Sequence, residues 1–405
     1  MRKQLYLFFG LLIFVFQFGQ AQPIEALRIW LKQNPDTRNE LTKEAFAQQA
    51  LSREDAQIVS KILDSLWRKE KRNRYLEAMK KGVLTWNDLQ MKLGGKTYGE
   101  KPVDGYSLYI SMHGGGSAPA QLNDQQWRNQ IHLYRPKEGV YIAPRAPWDD
   151  WNMWFKSGVD EFFEQLIQAA VALMEVNPDK VYLLGYSAGG DGVWRMAPRM
   201  ADRWAAAAMM AGHPGEASQV NLRNTPFMIW MGEQDAAYDR NVLAVKHGKI
   251  MDSLQQADPS GYIHETHIIL GKGHWMDRAD TAAISWMAQY RRNPWPQKVV
   301  WRQEEVTRPV FYWVEAPIEE CHHQDMVVVE YENNTIDISH CDYTRLTFGL
   351  NDQMVNLDRP IVVRYRGKKL FKGKVKRTIA QMSMTLEKRS DLRYMFPAVL
   401  EVKLP

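Results

Sequence analysis

The segment Val181-Tyr-Leu-Leu-Gly-Tyr-Ser-Ala-Gly-Gly190 joins an apolar run to the pattern G-x-S-x-G. The run predicts a strand, and helically spaced apolar residues predict a helix after it, namely Val193, Trp194, Met196 and Ala197. Ser187 would occupy a strained turn between them, because side chains at Gly185 and Gly189 would clash with the neighbouring strand and helix. That turn exposes the hydroxyl and places the Ala188 N–H at a helix N-terminus, facing a developing oxyanion. The segment therefore predicts a nucleophilic serine.

Three other motifs occur in the order that such a serine requires. His113-Gly-Gly-Gly116 ends an upstream apolar run, where Gly114 or Gly115 would supply a second oxyanion donor. Downstream, one apolar run leads to Asp235, and the next leads to His274 in the sequence Gly271-Lys-Gly-His274. Donor loop, serine, acid and histidine each follow the end of a predicted strand, so the order predicts a Ser-His-Asp triad.

Strands alternate with helices between about residues 101 and 292. Continuous apolar runs separated by helices are typical of a parallel sheet covered on both faces. The predicted strands are 107–112, 139–143, 180–184, 205–210, 226–231 and 262–270. The predicted helices are 162–174 and 241–256. We therefore expect an α/β fold with a doubly wound, mostly parallel sheet.

From about Val103 to Tyr290 the sequence resembles the α/β-hydrolase superfamily. Within that stretch, Asn177-Pro-Asp-Lys-Val-Tyr before the serine motif is similar to secreted polyhydroxybutyrate depolymerases, feruloyl esterases, carboxylesterases and phospholipases. The resemblance implies a serine hydrolase that cleaves carboxylic esters without a metal or other cofactor. It assigns the nucleophile, acid and base to Ser187, Asp235 and His274, and the oxyanion donors to Ala188 with Gly114 or Gly115.

Two other functions remain open at this point. A serine peptidase would use the same fold and the same triad on amides. A binding protein with a vestigial hydrolase fold is the alternative from another class, and the three intact triad residues argue against it. Asp239 is the alternative acid, but it lies further from the predicted strand end than Asp235.

Aromatic residues near the expected catalytic edge are the candidates for substrate contact. Pro147-Trp-Asp-Asp-Trp-Asn-Met-Trp-Phe155 follows a predicted strand, and its tryptophans suit stacking on sugar rings or an acyl pocket. The alternative is that this loop only seals the core. The predicted substrate-contacting residues are His113, Trp148, Trp151, Trp154, Tyr186, His213 and Trp275. For His213, a hydrogen-bonded loop histidine is the alternative. Asn123, Gln126 and Trp127 are further candidates at the entrance.

The chain of 405 residues divides into four predicted segments. Residues 1–21 have the charged start, apolar run and small-residue end of a secretory signal peptide, and this run is shorter than a membrane span. Residues 22–100 are predicted to form a helical extension, residues 101–293 the catalytic domain and residues 294–405 a β-sandwich-like module. We therefore expect a secreted or periplasmic protein that contacts a membrane only before cleavage.

The C-terminal module contains a basic run and both cysteines. Eight cations and no acid lie between Arg364 and Arg377, which suits an anionic polysaccharide or, alternatively, a lysine-protected edge hairpin. Because the net charge of +5 is small and spread along the chain, we expect no nucleic-acid partner. Cys321 and Cys341 are predicted to form a disulfide, with free thiols and a zinc site as the alternatives.

Overall fold

The structure is a computed structural model that describes residues 23–35 and 37–405. The predicted signal peptide, residues 1–21, lies outside the described residues. The chain forms two compact units. The larger unit contains Arg68–Glu330 and Ile338–Thr344, and the smaller unit contains the described residues up to Trp67, Tyr331–Asp337 and Arg345–Pro405. Across the described residues, no helix combines the length and the apolar character that a membrane span needs.

An eight-stranded sheet forms the centre of the larger unit, in the order β1-β2-β4-β3-β5-β6-β7-β8. Its strands are β1 (Val83–Trp86), β2 (Leu89–Tyr98), β3 (Tyr106–Met112), β4 (Gly139–Pro144), β5 (Val176–Tyr186), β6 (Ala206–Met210), β7 (Phe227–Gly232) and β8 (His264–Ile269). The six strands from β3 to β8 run parallel, whereas β1 pairs antiparallel with β2 and β2 antiparallel with β4. This sheet confirms the predicted doubly wound, mostly parallel α/β-hydrolase architecture.

Three strands of the sheet are buried along their whole length. Every residue of β4, β6 and β7 is buried, as expected when helices cover both faces of a parallel sheet. Helices alternate with the strands from β3 onwards. They are α2 (Ala120–Leu133), α3 (Val159–Leu173), α4 (Ala188–Arg199), α5 (Arg240–Ala257) and α6 (Ala282–Met287). The long helix α1 (Arg53–Lys81) precedes the sheet, and its Tyr75 hydroxyl donates to Gln168 Oε1 of α3 over 3.1 Å.

The prediction of a helical segment through residue 100 is wrong after α1. The helix ends at Lys81, and Gly82 has a φ of +65°, the left-handed conformation that commonly terminates helices. Strands β1 and β2 then form a hairpin whose turn includes Asn87, also with positive φ. Residues 83–98 therefore belong to the sheet, and Gly82 and Asn87 are the sequence signals for this change.

Strands dominate the chain after residue 297, in agreement with the predicted β-rich C-terminal region. They are β9 (Lys298–Arg302), β10 (Val310–Phe311), β11 (Val314–Glu315), β12 (Met326–Glu332), β13 (Thr335–Cys341), β14 (Arg345–Leu350), β15 (Ile361–Tyr365), β16 (Lys368–Gly373) and β17 (Ala398–Lys403). Asn333 and Asn334 form the turn between β12 and β13, and both residues have the positive φ of a two-residue hairpin loop. The smaller unit contains the antiparallel pairs β14–β17 and β15–β16.

One helix in this region was not predicted. Helix α7 (Ile379–Arg389) begins after Thr378, whose side chain accepts a hydrogen bond from the Gln381 N–H. Such a cap satisfies one of the free donors at a helix start. The helix buries Ile379, Met382 and Leu386 on one face. The C-terminal region is therefore β-rich but not all-β.

The structure has Cys321 and Cys341 as free thiols, so the predicted disulfide is not formed. Cys321 Sγ lies 3.2 Å from the Pro317 carbonyl, and Cys341 Sγ lies 3.5 Å from the Tyr343 carbonyl. The Asp342 N–H donates to Met326 O, which places the end of β13 beside the start of β12. Within residues 23–35 and 37–405, no three His, Cys, Asp or Glu side chains are grouped as metal ligands.

Candidate active site

Ser187 lies on the sharp turn between β5 and α4. Its φ of 58° and ψ of −122° are rare for a residue with a side chain and cost of the order of 1–3 kcal/mol. The turn is fixed by two backbone hydrogen bonds, from the Ser187 N–H to Met210 O and from the Asp191 N–H to Ser187 O, each 2.9 Å long. A Cβ at Gly189 would overlap the Met112 carbonyl, and one at Gly185 would overlap Gly189. The structure thus contains the strained turn and the steric need for glycine that the sequence predicted.

Ser187, His274 and Asp235 form a continuous chain of hydrogen bonds. His274 Nε2 lies 2.9 Å from Ser187 Oγ, and His274 Nδ1 lies 2.7 Å from Asp235 Oδ2. Asp235 is 3% exposed, whereas the His274 side chain is partly open to solvent. The predicted acid is therefore the one in contact with the histidine. Asp239 instead occupies a left-handed position just before α5.

Strand order brings these three residues together. Ser187, Asp235 and His274 follow β5, β7 and β8, which lie close together in the order β5-β6-β7-β8. Because these strands are parallel, the loops after their carboxyl ends leave the sheet at one edge, where α/β folds place their sites. Residues 87 positions apart in the sequence are thereby joined by one hydrogen bond.

The predicted oxyanion donors lie beside the serine. A Cβ placed on Gly114 would come within 3.1 Å of Ser187 Cβ, which shows how closely the loop after β3 approaches the turn. Ala188 is the first residue of α4, so its N–H has no acceptor within the helix. The side chain of Asn123 fixes the loop: its Oδ1 accepts from the Gly116 N–H over 2.9 Å, and its Nδ2 donates to Asp149 Oδ1 over 2.8 Å. Asn123 is fully buried and positions this loop rather than shaping the entrance.

His113 and Trp154 belong to the supporting core, not to a substrate surface. Both are fully buried, and the Trp154 indole N–H donates to His113 O over 2.8 Å. His113 Nε2 accepts from the Ala146 N–H, and burial lowers the pKa of His113 to about 4. The prediction that these two residues contact substrate is wrong, because they face inward beneath the loop.

Trp127 likewise supports the fold. Its indole N–H donates to the Ala143 carbonyl of β4 over 2.8 Å. It is therefore anchored to the sheet rather than free to shape an entrance.

Three other predicted contact residues lie near the site without lining its cavity. Tyr186 donates from its hydroxyl to His274 O over 2.6 Å, and accepts from the Met276 N–H over 3.2 Å. It therefore holds the histidine loop in place. Trp275 is half-exposed and lies 5.6 Å, between ring centroids, from Tyr186. Trp148 is partly buried, with the Lys156 ammonium 5.3 Å from its ring centre.

A cavity of about 370 Å³ opens beside Ser187. Of the predicted substrate-contacting residues, Trp151 and His213 line it, and Trp151 is 62% exposed. The remaining side chains of the wall were not predicted from the sequence; they are Ser117, Phe155, Asp191, Arg195, Tyr238 and Arg240. Asp191 and Arg195 follow Ser187 at intervals of four residues, so helical spacing alone would have put both on the cavity side of α4.

Three of the new wall residues, Asp191, Arg195 and Arg240, carry ionisable side chains. Asp191 Oδ1 accepts from the His213 N–H over 2.6 Å, and burial raises the pKa of Asp191 to about 6. Arg195 forms an ion pair of 3.0 Å with Glu305. Arg240 Nη1 lies 3.8 Å from Asp235 Oδ1. The cavity therefore joins the hydroxyl of Ser187 to a wall with two guanidinium groups and one carboxyl group.

The basic run in the smaller unit forms the hairpin β15–β16. Its register shifts after Val363, so Phe371 opposes Val363 but Lys369 opposes Arg364. The shift turns Lys369 towards the same face as Arg364 and Lys372. Arg377, by contrast, is buried and forms ion pairs with Asp352 and Asp358. Three exposed cations therefore share one face of this hairpin.

Comparison with known proteins gives structural likenesses only. No protein-family profile matches this chain, and no curated protein sequence matches it. The esterase PE8 is similar at 19% identity and a TM-score of 0.32, covering 49% of this chain and 99% of its own. LpqC, a poly(3-hydroxybutyrate) depolymerase from Bordetella parapertussis, is 15% identical over 51% of this chain and 85% of its own, with a TM-score of 0.35. FphF, a fluorophosphonate-binding serine hydrolase of Staphylococcus aureus, is 14% identical over 51% of this chain and 97% of its own, with a TM-score of 0.33. These values are too low to transfer an activity to this chain.

Proposed function

We propose that this protein is a serine hydrolase that cleaves carboxylic esters. The observation that carries the proposal is the hydrogen-bonded chain from Asp235 through His274 to Ser187, which ends in a cavity lined by Gly115 and Ala188. A serine hydroxyl in contact with an imidazole, itself oriented by a buried carboxylate, is the arrangement of an activated nucleophile.

Each group has a defined chemical role in this proposal. Neutral His274 takes the Ser187 proton through Nε2 as Oγ attacks the acyl carbon, and later donates that proton to the leaving alcohol. Asp235 holds His274 with Nδ1–H towards its carboxylate and stabilises the imidazolium. The N–H groups of Ala188 and of Gly114 or Gly115 would stabilise the oxyanion, each contributing roughly 3–4 kcal/mol. Water then attacks the acyl-enzyme by the same steps.

The test is the Ser187→Ala variant, with Ser253→Ala on the exposed face of α5 as the matched control. We expect Ser187→Ala to lose at least about 10⁴-fold in kcat on 4-nitrophenyl acetate and to lose covalent labelling by a fluorophosphonate, because no nucleophile remains. Ser253→Ala should retain both. The thermal unfolding midpoint of each variant is measured to show that the fold is intact.

Two results would contradict the proposal. Undiminished ester turnover in Ser187→Ala would exclude this serine as the nucleophile. Wild-type protein that takes up no fluorophosphonate and cleaves no ester would point to a non-catalytic use of the fold. A panel of acetyl, longer acyl, feruloyl and peptide substrates separates an esterase from a peptidase, and a higher kcat/KM on peptides would exclude the ester preference.

The partner that we propose is an acylated, anionic polysaccharide. The cations Arg364, Lys369 and Lys372 on one face support it. Arg364 lies directly opposite Lys369, and like charges in that arrangement destabilise a hairpin unless an anion neutralises them. Changing all three to Gln in the full chain should weaken retention on immobilised polygalacturonate at low salt. The control changes Lys61, Lys246 and Lys249, which are also exposed, to Gln. Equal retention of the two variants would exclude the hairpin as the binding surface.

A further inference from the structure

Arg240 lines the cavity, where the carboxyl groups of Asp191 and Asp235 face it. It is the first residue of α5, where the helix dipole disfavours a cation. Within residues 23–35 and 37–405, its ion-pair partner is Asp235 at 3.8 Å, and Asp235 already holds His274 through the other oxygen. Arg240 Nε is buried without a hydrogen-bond partner among the described residues. A guanidinium whose buried Nε–H lacks an acceptor costs free energy unless a ligand or another group satisfies it.

The backbone in front of Arg240 is strained. Tyr238 and Asp239 both have a φ of 57°, the left-handed region that side chains disfavour. Tyr238 lines the cavity while 76% exposed, and the Arg240 guanidinium lies 5.0 Å from its ring centre. Two consecutive strained residues are therefore kept at the rim, in the segment that directs Arg240 towards the cavity.

Arg195 reaches the same cavity from α4 and is held in a fixed orientation. Glu305 pairs with Nη1, and the guanidinium lies 5.2 Å from the centre of the Phe155 ring. The absence of a side chain at Gly215 makes room for it, because a Cβ there would overlap Arg195 Nη2. An arginine fixed in this way loses little conformational entropy when it binds an anion.

We propose that the cavity binds esters that carry a second, ionised acid group, and that Arg240 and Arg195 recognise that group. This inference rests on the proposed esterase function and names its substrate class. The planar donors of arginine match a carboxylate with two parallel hydrogen bonds. At about 370 Å³ the cavity lies near the lower end of the range for ligand pockets, which suits a short acid-bearing acyl or alcohol part. Trp151 and Phe155 supply apolar surface in the same cavity.

Matched ester pairs test this substrate class and show which side of the ester carries the charge. On the acyl side, 4-nitrophenyl hydrogen adipate is compared with its neutral adipamate. On the alcohol side, 4-acetoxybenzoate is compared with 4-acetoxybenzamide. For at least one pair, we expect kcat/KM to be roughly 10- to 100-fold higher for the anion, the effect of a charge-assisted hydrogen bond.

Variants then assign the preference to the two arginines. Arg240→Gln and Arg195→Gln should each lower the anion-to-neutral ratio of kcat/KM about tenfold or more, and Arg240→Lys should restore part of it. The readout is the ratio, so a change in overall rate through Asp235 affects both substrates alike. Lys249→Gln removes an exposed charge from the same helix α5, outside the cavity, and should keep the wild-type ratio.

The outcomes separate this inference from the proposed function. A ratio at or below one for both pairs, with neutral esters still cleaved, would overturn the inference and leave the esterase function standing. A preference that persists in both glutamine variants would overturn the assignment to Arg240 and Arg195. If no ester is cleaved at all, the function fails, and calorimetric binding of adipate to wild-type protein still decides the inference: binding that Arg240→Gln abolishes supports it, and its absence rejects it.

Discussion

One side of the cavity is built from backbone atoms and the other from side chains. Around Ser187 the cavity is bounded by strand ends, glycines and backbone N–H groups, and these are packed so closely that added side chains would overlap backbone atoms. The opposite wall is made of the side chains of Trp151, Arg195 and Arg240, which come from three separate segments. The first side would fix how a bond is cleaved, and the second would select the bond. Substitutions should therefore destabilise the fold most on the first side and change specificity most on the second.

The largest expected effect is at Gly189. In Gly189→Ala the new Cβ would overlap the Met112 carbonyl, a backbone atom that cannot move aside, so we expect a loss of more than about 3 kcal/mol in the free energy of unfolding. Gly273→Ala is the control in the histidine loop, because a Cβ at that position would have no atom within 4 Å. Urea denaturation of both variants is the measurement. Equal stability of the two would show that the backbone side tolerates side chains after all.

A second comparison uses two tryptophans of one loop. Trp154→Ala removes a fully buried side chain and should cost about 3–5 kcal/mol of unfolding free energy. Trp151→Ala removes a side chain that is 62% exposed and should change stability by less than about 0.5 kcal/mol. Trp151→Ala should nevertheless raise KM for esters with bulky acyl groups, because it removes cavity wall. A lower thermal unfolding midpoint for Trp151→Ala than for Trp154→Ala would contradict the distinction between a buried core residue and a cavity-wall residue.

The smallest expected effect concerns the buried carboxyl of the wall. Because burial raises the pKa of Asp191 to about 6, its proton is bound more tightly in the folded than in the unfolded protein. The resulting stability is fully present below about pH 4 and is lost as the pH rises through about 6.

Asp191→Asn should not lose stability in this way as the pH rises, because asparagine does not ionise. Asparagine can still accept from the His213 N–H, so the variant should be more stable than wild type above pH 6 by about 1–3 kcal/mol, with the difference shrinking towards pH 4. Unfolding free energies measured from pH 4 to 8 give the result, and the exposed Asp88→Asn controls for the loss of one carboxylate. A difference independent of pH would show that Asp191 does not carry this effect. The groups that face Asp191 are Arg240, His274, Arg195 and His213.

Local patterns predicted the sheet and the order of the candidate site better than they predicted the flanks. The apolar runs from residue 107 onwards became strands of the sheet within a few residues, because burial on both faces demands such runs. The hairpin of β1 and β2 was missed, since a long helix precedes it and only Gly82 and Asn87 mark the change. Helix α7 was missed because its signal is a single Thr378 cap within a region of strand patterns.

By itself the sequence determined the turn at Ser187, the glycines around it and the succession of Gly114, Asp235 and His274. These depend on local sterics and on strand ends, which a linear pattern encodes. Only the tertiary structure decided that Trp151 lines the cavity while Trp154 and His113 are buried, and that Arg195 and Arg240 meet there. The physical reason is that a cavity wall is assembled from side chains of distant segments, and its composition depends on which way each loop turns.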